Sequence, residues 1–504
     1  MSITLRELLQ EVDTSDVPSG LDTPIFGLAY DSRQVRPGWL FVAIRGFHAD
    51  GHQYVAQAIA AGAAAVVVDV RYWGGGDVGA PLIRVADSRV ALAPLAVNFH
   101  RRPGLSLRTV GITGTKGKST TTDLVNQILE GGGFSTGMIS TVDFKVGARR
   151  WPNSTRQSTP EAPEIQGLLR EMADAGCDYA VIESTSHALS ARWNRLGGCF
   201  FDAAVFLNIT HEHLDYHGSF EQYRADKARL FEMLGEGGQG DAWAIVNADD
   251  PSYQYFLDAA PARARRLTFG AQAAADVRAH EVVAGPGGSS LRVTTPWGPT
   301  RLRLQLPGSF NVSNALAALS VALSQGIPLE RAAAALEAVP GIRGRMQPVN
   351  LGQPFDVIVD YAHSPDSFDQ VLGMLRPLTQ GRIIVVFGSA GERDRAKRAI
   401  QGEIAGRYAD LLVLTDEDPR GEDPAAIIAE IAEGAERAGK RAGDGYLCIP
   451  DRAEAIRAAM AAARPGDLVL LLGKGHEGNI IYAGSTIPWD EAEAAREALR
   501  ALGY

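Results

Sequence analysis

The sequence predicts an α/β protein built as three domains with mostly parallel sheets. Three observations predict it. Short β-branched runs alternate from end to end with Ala-rich stretches of helix formers, the pattern of βαβ units. The 504 residues make about three domains at roughly 100–200 residues each. In the last third, a polar motif follows each of four strand candidates, as loops do at one edge of a parallel sheet.

The elements follow in chain order. Residues 1–105 form a smaller N-terminal α/β domain, with the strand WLFVAI, a helix over 53–61 and the strand AAVVVDV. The basic stretch HRRPG (100–104) is its exit. Residues 106–340 form a central domain. An apolar run leads into Val110–Thr113, and further strands fall at 179–184, 202–209 and 243–250. A hairpin-like stretch covers about 276–306 with PWGP (296–299) as its turn, and a helix starts at Asn311. VPGIRGR (339–345) marks the second boundary. Residues 341–504 carry strands FDVIVD, RIIVVFG, LLVLTD, YLCIP and LVLLLG with helices between, a doubly wound pattern.

Composition excludes several classes. Lys and Arg number 49 against 59 Asp and Glu, a net charge of −10, which argues against a general nucleic-acid or membrane-surface binder. Three scattered cysteines (Cys177, Cys199, Cys448) give neither a disulfide framework nor a zinc site. The N-terminus lacks a signal-peptide core, and no run nears the ~18 apolar residues of a membrane span. A cytoplasmic protein is expected.

The sharpest motif is GITGTKGKSTTT (111–122), between an apolar strand and a helix. Its glycines let amide N–H groups face a phosphate, Lys118 reaches terminal phosphates, and the Ser119 hydroxyl suits Mg²⁺. Ile112 stands where the strict phosphate-loop pattern has Gly, and a turn that only caps the helix is the bland alternative. THEHLDYHG (210–218) concentrates His211, His213 and His217 just past a strand, and Glu183 also follows a strand. A lone histidine is usually a satisfied polar group; three together, with a carboxylate on the same sheet edge, suit nucleotide and metal. Ser219 and Gln222 form a capping box that opens a helix. On it Lys227 falls on the apolar stripe of Tyr223, Leu230 and Phe231. Such a lysine either snorkels to solvent or needs a partner or a changed charge. DYAHSPDS (360–367), GSAGERDRAKR (388–398), TDEDPR (415–420) and GKGHEG (473–478) follow four of these five strands, and Arg393 and Arg420 suit carboxylate recognition. DSRQVRPG (31–38) and GFHADGHQY (46–54) are polar loops able to face a ligand.

Together these motifs, in this order, resemble the Mur ligases, and within them the branch that adds the third amino acid of the cell-wall precursor peptide. The resemblance covers essentially the whole chain. It implies a central P-loop-like ATPase domain between a UDP-sugar domain and a Rossmann-like amino-acid domain. It implies that ATP is met by Gly114, Thr115, Lys116, Gly117, Lys118, Ser119 and Thr120, with Asn311, Asn314, Arg345 and Asp360. Two Mg²⁺ ions would be served by Ser119, Glu183, His213 and Lys227, the last as a carbamate. Lys118, Glu183, His213 and Lys227 would be catalytic. UDP-MurNAc-L-Ala-D-Glu would meet Ser32, Phe47, His48, Ala49, Ser158, Thr159, Thr185 and Arg195. A diamino acid would meet Arg393, Asp418, Arg420, Gly473 and Glu477.

The implied activity is ATP-dependent formation of an amide through an acyl phosphate, by a monomer without nucleic-acid or membrane partners. Lys116 stands where these ligases usually carry Asn, and residues 183–198 run about two residues long. Glu417-Asp418-Pro419-Arg420 replaces the Asp-Asn-Pro-Arg usual for meso-diaminopimelate, which leaves L-lysine and L-ornithine open. The alternatives are a folylpolyglutamate-synthetase-like ligase, which lacks a domain like residues 1–105, and a nucleotide-dependent switch.

Overall fold

The structure is a computed structural model. It describes residues 2–16, 20–46, 49–72, 79–155, 157–212, 214–238, 240–285 and 287–504. The chain divides into two compact units. The first is Met1–Phe269 with Ala273–Ala275 and Ser320–Ile327; the second is Gly270–Gln272, Asp276–Leu319 and Pro328–Tyr504.

The first unit begins with a parallel sheet of Gly27–Ala29, Trp39–Val42, Ala65–Asp69 and Leu82–Val85, in that order. Both of its faces are covered. Ala65 and Val67 join a core with Leu5, Leu40 and Leu92, whereas Val66 and Val68 join one with Phe41, Val55 and Ala58. This is the period of two that explains the uninterrupted AVVV run. The helix foreseen over 53–61 opens as a 3₁₀ turn, Gly51–Tyr54, and is α-helical only over Val55–Ala60. At the HRRPG exit, Arg101 and Arg102 take left-handed φ of 58° and 51°, which ends the helix Ser88–Phe99.

The larger sheet of this unit runs Arg149–Pro152, Asp143–Val146, Thr136–Ile139, Tyr179–Glu183, Arg108–Thr113, Phe201–Phe206, Trp243–Asn247 and Arg265–Gly270. The first two strands are antiparallel additions; the other pairings are parallel. Arg108–Thr113 has later strands on both sides, so the strand order reverses beside it. In open α/β sheets the crevice at such a reversal, past the carboxyl ends, takes the ligand.

In the second unit, the stretch foreseen as a hairpin is a three-stranded antiparallel meander, Val277–Gly285, Gly288–Thr295 and Gly298–Leu304. Beyond it a sheet runs Gln347–Pro348, Asp356–Asp360, Leu468–Leu472, Ile383–Phe387, Leu411–Leu414 and Tyr446–Cys448, parallel except for its first pair. Ile383, Val385 and Phe387 face one core, and Ile384 and Val386 face the other, so the sheet is doubly wound. The hairpin Asn479–Tyr482 with Ser485–Pro488 has no counterpart in the sequence reading. Among the described residues no helix is long and apolar enough to cross a membrane.

Candidate active site

Arg108–Thr113 delivers the chain into residues 114–117, and Gly117 caps the helix Lys118–Gly131 from the left-handed region, φ +86°. An L side chain is strained there, so the glycine is a backbone requirement. Asn208, past the neighbouring strand, clamps the loop: its Oδ1 accepts from Lys116 N at 2.9 Å, and its Nδ2 donates to Lys116 O at 3.0 Å. Thr115 is buried and bonded to Tyr223 Oη at 3.1 Å. Lys118 Nζ bends back to the carbonyls of Gly114 (3.1 Å) and Thr115 (2.8 Å). Thr120 lies buried in the first turn.

Ser119 and Glu183, expected at one sheet edge, meet in space. Ser119 Oγ donates to Glu183 Oε1 at 3.1 Å. Thr141 occupies the other oxygen, with its N at 2.8 Å and Oγ1 at 2.9 Å from Glu183 Oε2. A hydroxyl and a carboxylate are hard oxygen donors, the set that fits Mg²⁺. Among the described residues no three His, Cys, Asp or Glu side chains gather as a metal cage. Mg²⁺ sites that hold substrate phosphates need only one or two carboxylates.

Lys227 sits on the helix Phe220–Glu232 with its side chain buried, as the stripe indicated, and does not snorkel. Its Nζ donates to Gly114 O at 2.7 Å and lies 4.6 Å from the Tyr223 ring centroid. Burial, helped by the nearby Lys118 charge, pushes its pKa well below the ordinary lysine value. The Ser219 cap holds Gln222 N at 3.1 Å, but the reciprocal half of the expected capping box is replaced: Gln222 Nε2 donates to Asp226 instead.

The histidine cluster separates. His213 lies outside the described residues, as do Phe47 and His48. His211 is exposed and packs on Phe220. His217 is buried between Asp226 Oδ2 (2.7 Å) and Ser186 Oγ (3.0 Å), the satisfied polar group that a lone histidine usually is.

Two cavities open in this unit. One of about 300 Å³ is lined by Lys118, Ser158, Thr159, Thr185, Arg195 and Lys227 among others. Thr159 Oγ1 donates to Glu183 O at 2.6 Å and meets Thr185 Oγ1 at 3.2 Å. The other, about 540 Å³, is lined by Arg45, Arg71, Arg89 and Arg192 with Asp69 and Asp87, so cations outnumber anions. The cavities share His187 and Trp193. Glu161 holds Arg89 (2.9 Å) and Arg195 (2.8 Å), and Arg89 stacks on Trp193 at 3.9 Å. Ser32 is buried against Gln57, and Ala49 is exposed.

The remaining sequence-derived residues belong to the second unit. Asn314 Nδ2 donates to Asn311 Oδ1 at 2.9 Å, and Asn311 Nδ2 to Pro307 O. Asp360 accepts from Met346 N and Ala362 N, both at 2.8 Å, and burial raises its pKa. Arg345 lies 4.9 Å over the Tyr361 ring. At the strand ends Lys474, with no exposed side-chain area, pairs with Asp418 (2.9 Å) and Glu477 (2.7 Å). Arg420 has φ +55°, and its buried Nε makes no hydrogen bond. Gly473 has φ +99°, and a Cβ there would stand 2.7 Å from Glu417 Oε2. Burial pushes Glu417 up to about 7. Arg393 is exposed.

Thr141, Asn208, Glu161 and Lys474 escaped the sequence reading. Lys474 had a signal, a lysine between two glycines in a strand-end motif already singled out. The others act through contacts between segments distant in sequence.

Comparisons with known proteins follow the same course. The description "Mur ligase family, catalytic domain" matches residues 24–100, "Mur ligase middle domain" residues 112–322, and "Mur ligase, glutamate ligase domain" residues 344–475. The chain is 61% identical to a UDP-N-acetylmuramyl-tripeptide synthetase of Roseiflexus sp., covering 99% of each. It is 40% identical to a UDP-N-acetylmuramoyl-L-alanyl-D-glutamate–2,6-diaminopimelate ligase of Geobacillus kaustophilus, covering 99% of this chain and 100% of that one. A solved structure of a ligase of that latter description aligns over 100% of both chains at TM-score 0.70 and 28% identity.

Proposed function

The chain belongs to the Mur ligase family, and from that premise we propose that it joins a diamino acid to UDP-MurNAc-L-Ala-D-Glu with consumption of ATP. The bond formed is an amide to the D-Glu side-chain carboxylate. In this reading residues 1–105 take the UDP-sugar, 106–340 the ATP and 341–504 the diamino acid. It works in the cytoplasm as a monomer.

The γ-phosphoryl group of ATP passes to the D-Glu carboxylate, giving an acyl phosphate and ADP. The amine attacks the acyl carbon, a tetrahedral intermediate forms, and phosphate leaves. Lys118, on the loop that cradles the phosphates, leaves its two carbonyl partners and offsets the charge on the transferring group. Ser158, Thr159, Thr185 and Arg195 orient the peptide end of the substrate, and Arg195 is itself held by Glu161. Ser119, Glu183 and carbamylated Lys227 would hold Mg²⁺, with His213 at a second ion. Mg²⁺ there supplies charge neutralisation and alignment of phosphate oxygens.

The observation that carries this reading is Lys227. Burial lowers the pKa of this amine and so favours its neutral, nucleophilic form, the one that combines with CO₂ to give a carbamate and release a proton. It touches Gly114 of the phosphate loop. A purely structural lysine there would set one hydrogen bond and one ring contact against the cost of burying its amine.

For the third amino acid, the structure weighs on the Asn-to-Asp change at 418. Lys474, shared with Glu477, offsets part of the Asp418 charge and so weakens its repulsion of a second carboxylate. Arg420 Nε is a buried donor without an acceptor. These two facts favour meso-diaminopimelate.

The test is phosphate release from ATP with UDP-MurNAc-L-Ala-D-Glu plus meso-diaminopimelate, L-lysine or L-ornithine in turn. Release dependent on meso-diaminopimelate is expected. Release with none of the three overturns the ligase reading, and release indifferent to the amino acid points to a switch.

A further inference from the structure

Arg452 opens the helix Arg452–Ala462, and neither its side chain nor that of Glu491 has any exposed area. All three nitrogens of its guanidinium donate. Nε and Nη2 donate to the Glu491 carboxylate (2.9 and 2.6 Å), Nη1 to Asp416 O (2.9 Å) and Nη2 to Leu472 O (2.8 Å). Glu491 is itself held by Trp489 Nε1.

The two carbonyls lie at the ends of strands that are not neighbours. Ile383–Phe387 runs between Leu468–Leu472 and Leu411–Leu414, so no ladder hydrogen bond sets the spacing of the loops that follow. Beyond Asp416 come Asp418 and Arg420, and beyond Leu472 come Gly473, Lys474 and Glu477. Lys474 bridges the same two loops nearer the edge, to Asp418 at 2.9 Å. Arg452 bridges them one layer down.

A stability role is a poor explanation for such a pair. Two charges taken out of water cost about as much as they return, and apolar side chains of the same volume do as well or better. The planar fork does what an apolar group cannot. It fixes two carbonyls and a carboxylate in one plane and so fixes the distance between two loops.

We propose that Arg452, locked by Glu491, is a positioning residue for the diamino-acid site: it sets the separation of the 416–420 and 473–477 loops from beneath. The inference rests on the ligase reading above. It leaves Lys118, Ser119 and Glu183, the phosphoryl-transfer residues of the first unit, untouched.

The test uses the full-length enzyme with Arg452→Lys and with Glu491→Gln. KM is measured for ATP, for UDP-MurNAc-L-Ala-D-Glu and for the diamino acid. The acyl phosphate is trapped separately with hydroxylamine, without diamino acid, as the hydroxamate plus phosphate. The expected result is a rise of tenfold or more in KM for the diamino acid, the other two KM values within twofold of wild type, and a retained hydroxamate rate. Equal changes in all three constants, or none, overturn the proposal. So does loss of cooperative unfolding in both variants, which makes the pair structural; if only Arg452→Lys fails to fold, Glu491→Gln decides. A wild-type enzyme that releases no phosphate with any diamino acid refutes the ligase reading instead.

Discussion

Replacing Lys227 with Met separates a catalytic from a structural lysine by the sign of the stability change. The substitution keeps volume and removes one donor. The hydrogen bond to Gly114 O is worth about 1 kcal/mol net. Gly114 O is not left bare, because Lys118 Nζ still donates to it at 3.1 Å, so the larger penalty of an unsatisfied carbonyl does not arise. Against that small loss stands the cost of carrying the amine. Each unit by which burial lowers a lysine pKa costs about 1.4 kcal/mol of stability once the pH lies below the ordinary value. The fall here is large and driven first by burial. Unfolded lysine holds its proton more tightly than the folded amine does, so the cost grows as pH falls from about 10.4 towards the folded value. In CO₂-depleted buffer Lys227→Met should therefore melt at or above the wild-type temperature at pH 7, with the advantage shrinking towards pH 10. Ligase activity should fall by roughly 100-fold or more, the range for losing a preorganised charge-stabilising group. Bicarbonate should stabilise the wild type and not the variant. A variant that melts well below wild type at pH 7, or that keeps most of its activity, refutes the reasoning.

Thr141→Val keeps the Thr141 N contact to Glu183 and deletes the Oγ1 contact; the Mg²⁺ concentration for half-maximal phosphate release should rise roughly 10–100-fold, as for other partners of metal-binding groups, and an unchanged requirement counts against Glu183 as a ligand. Gly473→Ala forces an L side chain to φ +99° and sets its Cβ against Glu417; about 1–2 kcal/mol of strain should appear in denaturant melts, with a raised KM for the diamino acid. Glu417, with its pKa raised by burial from 4.5 to about 7, is protonated in the fold over a range where the unfolded chain is ionised. The stability it contributes is present below pH 4.5 and is lost as pH rises to 7, so wild-type stability relative to Glu417→Gln should fall by about 3 kcal/mol across that window; parallel pH profiles would contradict it.

Much of the fold was legible because apolar periodicity is local. The strands of the doubly wound sheet fall where β-branched runs predict them, and the glycines of residues 114–117 sit between a strand and a helix as expected. The 276–306 stretch was underread: Gly287 and Gly288 carry a second turn signal that PWGP overshadowed, and three strands stand where two were foreseen. In the candidate site, Lys227 was legible because a lysine on an apolar stripe is a local contradiction. His217 misled, because crowding in sequence says nothing of what each ring faces; its partners, Asp226 and Ser186, come from two different helices. The Thr141–Glu183 and Arg452–Asp416 contacts join residues 42 and 36 positions apart, and no periodicity or spacing reports such pairings.

The Asn208 clamp has a consequence for how the phosphate loop tolerates change. Asn208 grips Lys116 by its main-chain N and O, as a neighbouring strand would. The loop's path at 116 is thus enforced by a partner that is indifferent to the side chain it holds. Substitutions at 116 are expected to leave the curl of the loop intact, and replacement of Asn208 by Asp, which loses the donor half of the grip, is not. The constraint on that turn thus lies not at 116 itself but at a residue 92 positions away.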